Sequence, residues 1–176
     1  LIRQAPRSLL DNTPLRKLLE QRLDFTRIEQ VIAGGHLYAL SITASGYASG
    51  PRVSFFQAQQ GAEPWERTHR FGCKARINAD HLLASSAIPF VFPAVRINRE
   101  YFGDGSMRQS SPLSPAIHLG AHKILAIGVG QPQRAGLVRQ GEDEPTAGTI
   151  AGHAMASVFN DTLQTDVEQA QRVSRT

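Results

Sequence analysis

The stretch that decides the fold is residues 84–106, which read ASSAIPFVFPAVRINREYFGDGS. A short helix predicted over residues 79–86 must end before the first proline, because the residue that precedes a proline is disfavoured in the helical region. Two prolines among large apolar groups over residues 88–97 indicate a buried, irregular passage. The stretch closes on Gly103-Asp104-Gly105-Ser106, a sequence typical of a tight turn. The stretch therefore predicts a helix, then a buried irregular segment, and then a turn that presents one carboxylate.

The part of the chain before this stretch predicts two helices and a hairpin. Thr13 precedes Pro14 and is the expected N-cap of the first helix, since proline is favoured in the first helical turn. Asp24 is the expected cap of a second helix, which ends at Gly34-Gly35. The apolar and β-branched runs at residues 37–43 and 52–56, with a glycine-rich connection between them, predict two strands of a hairpin.

The remaining segments complete an alternation of helices and strands. Residues 57–78 are polar and without a clear period, which predicts a surface excursion. A short helix is predicted over residues 114–119, and the continuous apolar run at residues 123–129 predicts a strand buried on both faces. Residues 131–148 indicate a loop, and residues 150–173 a last amphipathic helix. The alternation predicts an α/β layered fold.

Composition limits the classes of function. The 176 residues include 41% hydrophobic and 19% charged residues, which is typical of a globular protein. The formal net charge is +4, but the basic residues are scattered, so nucleic-acid binding is not expected. No apolar run approaches the roughly 20 residues that cross a bilayer. A single cysteine excludes an internal disulfide and leaves the compartment undetermined, with the cytoplasm as the default expectation.

The motifs after residue 84 resemble the second conserved block of the patatin-like phospholipase family. In that family a small-residue helix end and an Ala-x-Pro-x-x-Phe-Pro passage precede a strand that ends in Asp-Gly-Gly or Asp-Gly-Ala, followed by Leu-Gly-Ala and a buried strand. The matching positions are Ala87, Pro89, Phe92-Pro93, Asp104-Gly105, Pro112, Pro115, Ala116, Leu119-Gly120-Ala121 and residues 124–129.

The resemblance implies an α/β fold, part of a patatin-like three-layer sandwich with a central, mostly parallel sheet, flanking helices and a missing N-terminal portion. Residues 1–130 would form the C-terminal part of the hydrolase domain. Residues 131–149 would form a flexible linker, and residues 150–176 a C-terminal helix.

The resemblance also implies that Asp104 is the catalytic base of a Ser-Asp dyad. A carboxylate that acts directly on a serine hydroxyl must be held rigidly within hydrogen-bond reach, and a turn at a strand end can do this. Gly105 permits a close backbone approach. Ser106 replaces the usual Gly or Ala, and residues 107–111 depart from the Asp-Asn that commonly follows. The motif is therefore Asp104-Gly105-Ser106, with Ser106 as a tolerated variation.

The serine of the dyad is absent from the sequence. The nucleophile elbow needs Gly-x-Ser-x-Gly, and this pentapeptide does not occur in the 176 residues. Gly46-Tyr47-Ala48-Ser49-Gly50 places its serine fourth, and Gly34-Gly35-His36 does not match the family's oxyanion loop. We therefore interpret the chain as a fragment of a serine lipid acyl hydrolase, inactive alone. The alternative is a non-catalytic scaffold or membrane-surface module that keeps the fold.

Lipid ester or phospholipid is the expected substrate, with Phe90, Val91 and Phe92 as candidate walls of an acyl channel. No cofactor and no metal are implied. Peripheral membrane contact and self-association stay open as alternatives. Other reactive side chains lack the neighbours that chemistry requires, so packing, capping or surface roles are expected for Ser85, Ser86, His69, Cys73, His81, His118 and His122.

Overall fold

The computed structural model describes residues 8–107, 111–127 and 146. Four helices lie in the described residues, and they are α1 (Thr13–Arg22), α2 (Thr26–Ala33), α3 (Ala79–Ser85) and α4 (Ser114–His118). Six strands lie there as well, and they are β1 (Ala39–Gly46), β2 (Arg52–Ala58), β3 (Trp65–Arg67), β4 (Arg70–Lys74), β5 (Val95–Ile97) and β6 (Glu100–Gly103).

The strands form one mixed sheet in the order β3-β4-β2-β1-β6-β5. The α/β class predicted from the sequence is confirmed, but the described sheet is not mostly parallel. Only β2 and β4 pair in parallel, while the other four neighbouring pairs are antiparallel. Short turns connect β1 to β2, β3 to β4 and β5 to β6, and such turns can join only antiparallel strands, because a parallel pair needs a long crossover.

The predicted hairpin is confirmed. Strands β1 and β2 pair antiparallel from Ala39 opposite Ala58 to Ser45 opposite Arg52. At its far end β1 pairs with β6, where Ser45 lies opposite Gly103. The hairpin therefore brings the turn that follows β1 next to the residues that precede Asp104.

The first two helices are confirmed, with different caps from those predicted. Thr13 is the first residue of α1 rather than its cap, and its backbone N–H and hydroxyl donate to Oδ1 of Asp11 over 3.0 and 2.8 Å. Asp24 is likewise not the cap of α2, which is Phe25, but its Oδ1 accepts the backbone N–H of Thr26 over 3.0 Å at the start of the helix. Gly35 has a φ of 75°, the left-handed conformation that glycine adopts without a steric penalty.

The prediction of a surface excursion over residues 57–78 is wrong. Strands β3 and β4 lie within it, Ile77 is buried, and Trp65 stacks on Phe56 with ring centroids 5.1 Å apart. A side chain on Gly72 would overlap the Trp65 ring, so the glycine leaves space for it. These strands are too short to show a period, and contacts with residues distant in the sequence stabilise them instead.

Helix α3 covers the end of the sheet that carries the candidate site. It is predicted correctly, and a capping box joins Asn78 to His81 at its start. Leu83 and Ala84 are buried against Phe55 and Phe102, whose rings meet edge to face at 5.2 Å. The apolar face of α3 therefore fixes the helix C-terminus beside β6.

Two further predictions are wrong in part. The passage over residues 88–97 is irregular at first, but it ends in β5, and Phe90 is 77% exposed rather than buried. Residues 124–127 of the predicted buried strand have no strand partner, with Leu125 and Ile127 more than 80% exposed. An apolar run forms a buried strand only where a neighbouring strand pairs with it, and none of the described strands does so.

The predicted loop at residues 131–148 lies outside the described residues apart from Thr146, and the predicted helix at residues 150–173 lies wholly outside them. The domain boundary expected near residue 130 stays a prediction. The chain divides into two compact units, and the sheet and Asp104 belong to the first, which includes residues 8–107 and 118–120. Within the described part of the chain, every helix is too short or too polar to cross a bilayer.

Candidate active site

Asp104 directly follows β6, and its backbone is held on both sides. Its N–H donates to the carbonyl of Ala87 over 3.0 Å, just after the C-terminus of α3. Its carbonyl accepts the N–H of Met107 over 3.2 Å, which closes the tight turn predicted from the sequence. The residue is only 9% exposed. A buried carboxylate on a fixed backbone meets the first requirement for a base that acts directly on a hydroxyl.

The two carboxylate oxygens of Asp104 have different surroundings. Oδ1 accepts two hydrogen bonds from Ser106, one from its backbone N–H and one from its hydroxyl, each over 2.7 Å. Among the described residues, no hydrogen bond reaches Oδ2. Within these residues, the carboxylate is therefore oriented through one oxygen, and the other has no hydrogen-bond donor.

Gly105 packs against backbone on two sides. Its N–H donates to the carbonyl of Ser85 over 3.1 Å, and a Cβ on it would overlap the carbonyl oxygen of Thr43 in β1. The predicted close approach is thus confirmed, with Thr43 as the group approached. The Thr43 backbone, unlike a flexible side chain, cannot move aside without a large energetic cost. A glycine at this position lets the turn lie between β1 and the end of α3.

Tyr47 is a residue of the site that the sequence did not single out. Its N–H donates to the carbonyl of Tyr101 over 3.0 Å. A Cβ on Gly103 would lie only 2.5 Å from the Tyr47 hydroxyl, so the hydroxyl uses space that the glycine leaves. Burial raises the pKa of Tyr47, and the negative charge of Asp104 adds to the increase. Gly103, which precedes Asp104, indicates that another side chain packs closely at this position. Nothing in the sequence indicates which side chain it is.

The turn that carries Tyr47 is fixed by one carboxylate. Oε1 of Glu100 accepts the N–H of Ala48 over 3.1 Å, and the N–H and hydroxyl of Ser49 over 2.7 Å each. Burial tends to raise the pKa of Glu100, but the hydrogen bonds from Ser49 and Ala48 outweigh it and hold the pKa below its usual value. Ser49 is therefore a turn-stabilising residue in this arrangement.

The other serines near Asp104 have structural partners. The hydroxyl of Ser86 donates to the carbonyls of Leu82 and Leu83 over 2.9 and 3.3 Å, which are bonds to its own helix. Ser85 is partly buried, and its hydroxyl would lie 3.4 Å from a Cβ on Gly105, an ordinary packing distance. The expected packing roles of both residues agree with these contacts.

The apolar segment before β5 begins beside Asp104. The N–H groups of Val91 and Phe92 both donate to the carbonyl of Ile88, which forms a turn one residue after Ala87. Phe90 has a φ of 65°, a conformation unfavourable for a bulky side chain, and it is exposed, while Val91 and Phe92 are partly buried. Strained residues often mark functional sites.

The histidines and the cysteine form no hydrogen bond with Asp104 in the described part of the chain. His81 lies on the face of α3 that packs against Phe55, with ring centroids 4.8 Å apart, and desolvation lowers its pKa. Helix α4 ends at His118, so His122 lies outside it, and burial raises the pKa of the Cys73 thiol. No group of three or more metal-binding side chains occurs in the described ranges.

A shallow pocket of about 380 Å³ lies at the other end of the sheet, between α2 and the ends of β2 and β4. Ala58, in its wall, pairs with Ala39 at the start of β1, whereas Gly103 pairs with Ser45 near the end of β1. The pocket is therefore separate from Asp104. Its charged residues form ion pairs, such as Arg76 with Glu29 at 3.2 Å.

Comparison with known proteins gives one finding. The family model described as Patatin-like phospholipase matches residues 2–117, more than half of the chain and the part that includes Asp104. No curated protein and no solved structure matches the chain.

Proposed function

The chain belongs to the patatin-like phospholipase family, and from this premise we propose that it supplies the general base, Asp104, of a serine lipid acyl hydrolase. The observation that carries the proposal is the state of the Asp104 carboxylate. It is buried, oriented through Oδ1 by Ser106, and without a hydrogen bond to Oδ2 from the part of the chain that the structure describes. These are the properties that a base acting without histidine requires.

In the proposed reaction Asp104 accepts the proton of a serine hydroxyl while the serine oxygen attacks the carbonyl carbon of a lipid ester. The alcohol then leaves with a proton, and water hydrolyses the acyl-enzyme to release a fatty acid and restore the serine. The elbow serine and the oxyanion loop do not occur among the 176 residues, so a further segment must supply both. The chain alone is therefore proposed to be inactive.

The acyl part of the substrate is proposed to contact Phe90, Val91 and Phe92. Their turn begins next to Ala87, whose carbonyl binds the N–H of Asp104. The exposed Phe90 lies beside Leu9, because the N–H of Leu9 donates to the Phe90 carbonyl over 2.8 Å, and both side chains are more than 75% exposed. Exposed apolar groups near a site for lipid esters favour contact with acyl chains or with a lipid surface.

Ester hydrolysis tests the proposal. The chain alone should show no turnover of p-nitrophenyl butyrate, and the chain joined to a nucleophile-bearing segment of the family ahead of Leu1 should show it. Asp104→Asn should then lower kcat by about a thousandfold or more, since removing the base affects the transition state. Asp24→Asn is the matched control, because the asparagine oxygen can accept the same two hydrogen bonds from Thr26.

Two results would contradict the proposal. Turnover by the chain alone that Asp104→Ala abolishes would show that a serine within the 176 residues is the nucleophile. A joined protein that is folded by circular dichroism, binds lipid vesicles and yet lacks turnover would favour the rival function, a membrane-surface module.

A further inference from the structure

The structure brings a second polar group to the Asp104 turn. The Tyr47 hydroxyl lies over Gly103, the residue that precedes Asp104, in the space that the missing Cβ leaves. Tyr47 and Asp104 are 57 positions apart in the sequence by subtraction of their numbers, and the pairing of β1 with β6 brings them together. The contact of Tyr47 with Gly103 is therefore a product of the sheet and not of a local motif.

The position of Tyr47 is fixed by contacts on both sides of the residue. Its backbone is bound to the Tyr101 carbonyl, and the two residues after it are bound to Glu100 through three hydrogen bonds. A Cβ on Gly46, which precedes it, would overlap Oε1 of Glu100. The phenol thus lies on a rigid turn, which places a donor more accurately than a mobile loop does.

The surroundings of the Tyr47 phenol keep it protonated. Burial and the nearby charge of Asp104 both raise its pKa above the ordinary value of 10.0, so the hydroxyl is a hydrogen-bond donor at neutral pH. The side chain is 49% exposed, and the hydroxyl makes no hydrogen bond with the described residues that would use up the donor. A protonated, partly exposed hydroxyl over the residue that precedes Asp104 is suited to donate to an uncharged oxygen.

We propose that Tyr47 is a substrate-binding residue of this site, whose hydroxyl donates a hydrogen bond to an oxygen of the lipid ester held beside Asp104. The proposal rests on the proposed function and adds a specificity-determining contact to it. A tyrosine that only packs over Gly103 would lose little when its hydroxyl is removed. If the tyrosine binds substrate, removing its hydroxyl removes one hydrogen bond to the ligand and weakens binding.

The first experiment tests the geometry in the full chain without any substrate. In a variant with Tyr38→Phe and Tyr101→Phe, the absorbance of tyrosinate near 295 nm reports Tyr47 alone, because the sequence contains three tyrosines. Adding Asp104→Asn should lower the pKa of Tyr47 toward 10.0, since the carboxylate charge contributes to the increase. An unchanged titration would overturn the proposal, because the phenol would then not sense Asp104.

The second experiment tests substrate binding. The full chain, carrying ¹³C-labelled tyrosine rings, is titrated with dihexanoyl phosphatidylcholine below the concentration at which micelles form. The Tyr47 ring signals should shift and saturate, and Tyr47→Phe should weaken binding by about threefold to tenfold, the range for one hydrogen bond. Tyr38→Phe is the matched control, because Tyr38 has the same exposed fraction of 49%.

The outcomes separate this proposal from the proposed function. Equal affinity of Tyr47→Phe and the unsubstituted chain, or no saturable shift at all, would overturn the role of Tyr47 and leave the Asp104 assignment to the turnover assay. In the joined protein, Tyr47→Phe should raise KM and leave kcat within about twofold, as expected for uniform binding. A full rate in Asp104→Asn would instead overturn the proposed function.

Discussion

Ser106 donates both its backbone N–H and its hydroxyl to one oxygen of Asp104, each over 2.7 Å. The usual third residue of the family motif, Gly or Ala, offers only the backbone N–H. Ser106 therefore adds a contact that fixes the plane of the carboxylate. Because the serine follows the aspartate within one turn, this contact stabilises the turn whether or not a substrate is bound.

Ser106→Ala tests this added contact. The substitution removes the hydroxyl bond to Oδ1 and keeps the backbone bond, so we expect the free energy of unfolding to fall by about 1 kcal/mol. Ser106→Thr keeps a hydroxyl and should recover most of the loss. Chemical denaturation of the three proteins measures the difference, and equal stability of the alanine variant would show that the hydroxyl contributes nothing.

Gly105→Ala should destabilise the chain more strongly. Its Cβ would overlap the carbonyl oxygen of Thr43, and backbone on a central strand cannot move without disturbing the sheet. We expect a loss of about 1–3 kcal/mol, the range for overpacking. Gly50→Ala is the control, because open space surrounds Gly50 and only its φ of 78° opposes a side chain, at about 1 kcal/mol. A smaller loss for Gly105→Ala than for Gly50→Ala would contradict the close packing of Gly105 against Thr43.

Phe90 offers a test of backbone strain. Its φ of 65° opposes any residue with a Cβ, so Phe90→Gly should be more stable than Phe90→Ala by about 1 kcal/mol. This order reverses the usual preference for alanine over glycine. Both variants should also bind phospholipid vesicles more weakly than the unsubstituted chain if the exposed ring contacts lipid. Tyr38→Ala, which removes another exposed aromatic ring, controls for nonspecific loss.

His81 should make stability depend on pH. Desolvation lowers the pKa of His81 in the folded chain below the ordinary value of 6.5, although the charge of Asp80 and a hydrogen bond to Asn78 oppose the decrease. The unfolded chain then binds the proton at a higher pH than the folded chain does. The contribution is therefore fully present above pH 6.5 and decreases as the pH falls below it toward the folded-state pKa.

The measurement for His81 is the free energy of unfolding at pH 7.5 and 5.5. His81→Gln, which cannot titrate, should show a smaller decrease between the two pH values than the unsubstituted chain. His36→Gln, at an exposed position, is the control. If the two variants lose the same amount of stability on acidification, His81 does not carry the pH dependence.

The local elements of the fold could be predicted from the sequence. Pro14, Asp24 and Gly35 mark the ends of α1 and α2, and the glycine-rich connection marks the hairpin, because caps and turns depend on residues close together in the chain. The segments that failed depend on distant partners. Trp65 requires Phe56 and the space over Gly72, and the apolar run at residues 124–127 has no described strand to pair with.

The sequence by itself determined the family, the α/β class and the choice of Asp104, because the residues of the motif follow one another in a fixed order. It also excluded the elbow pentapeptide from these 176 residues. Only the tertiary structure decided which groups surround the carboxylate. Thr43, Ser85 and Tyr47 reach the turn from β1, α3 and the hairpin connection, and their distances from it depend on sheet register and helix packing, which no local pattern specifies.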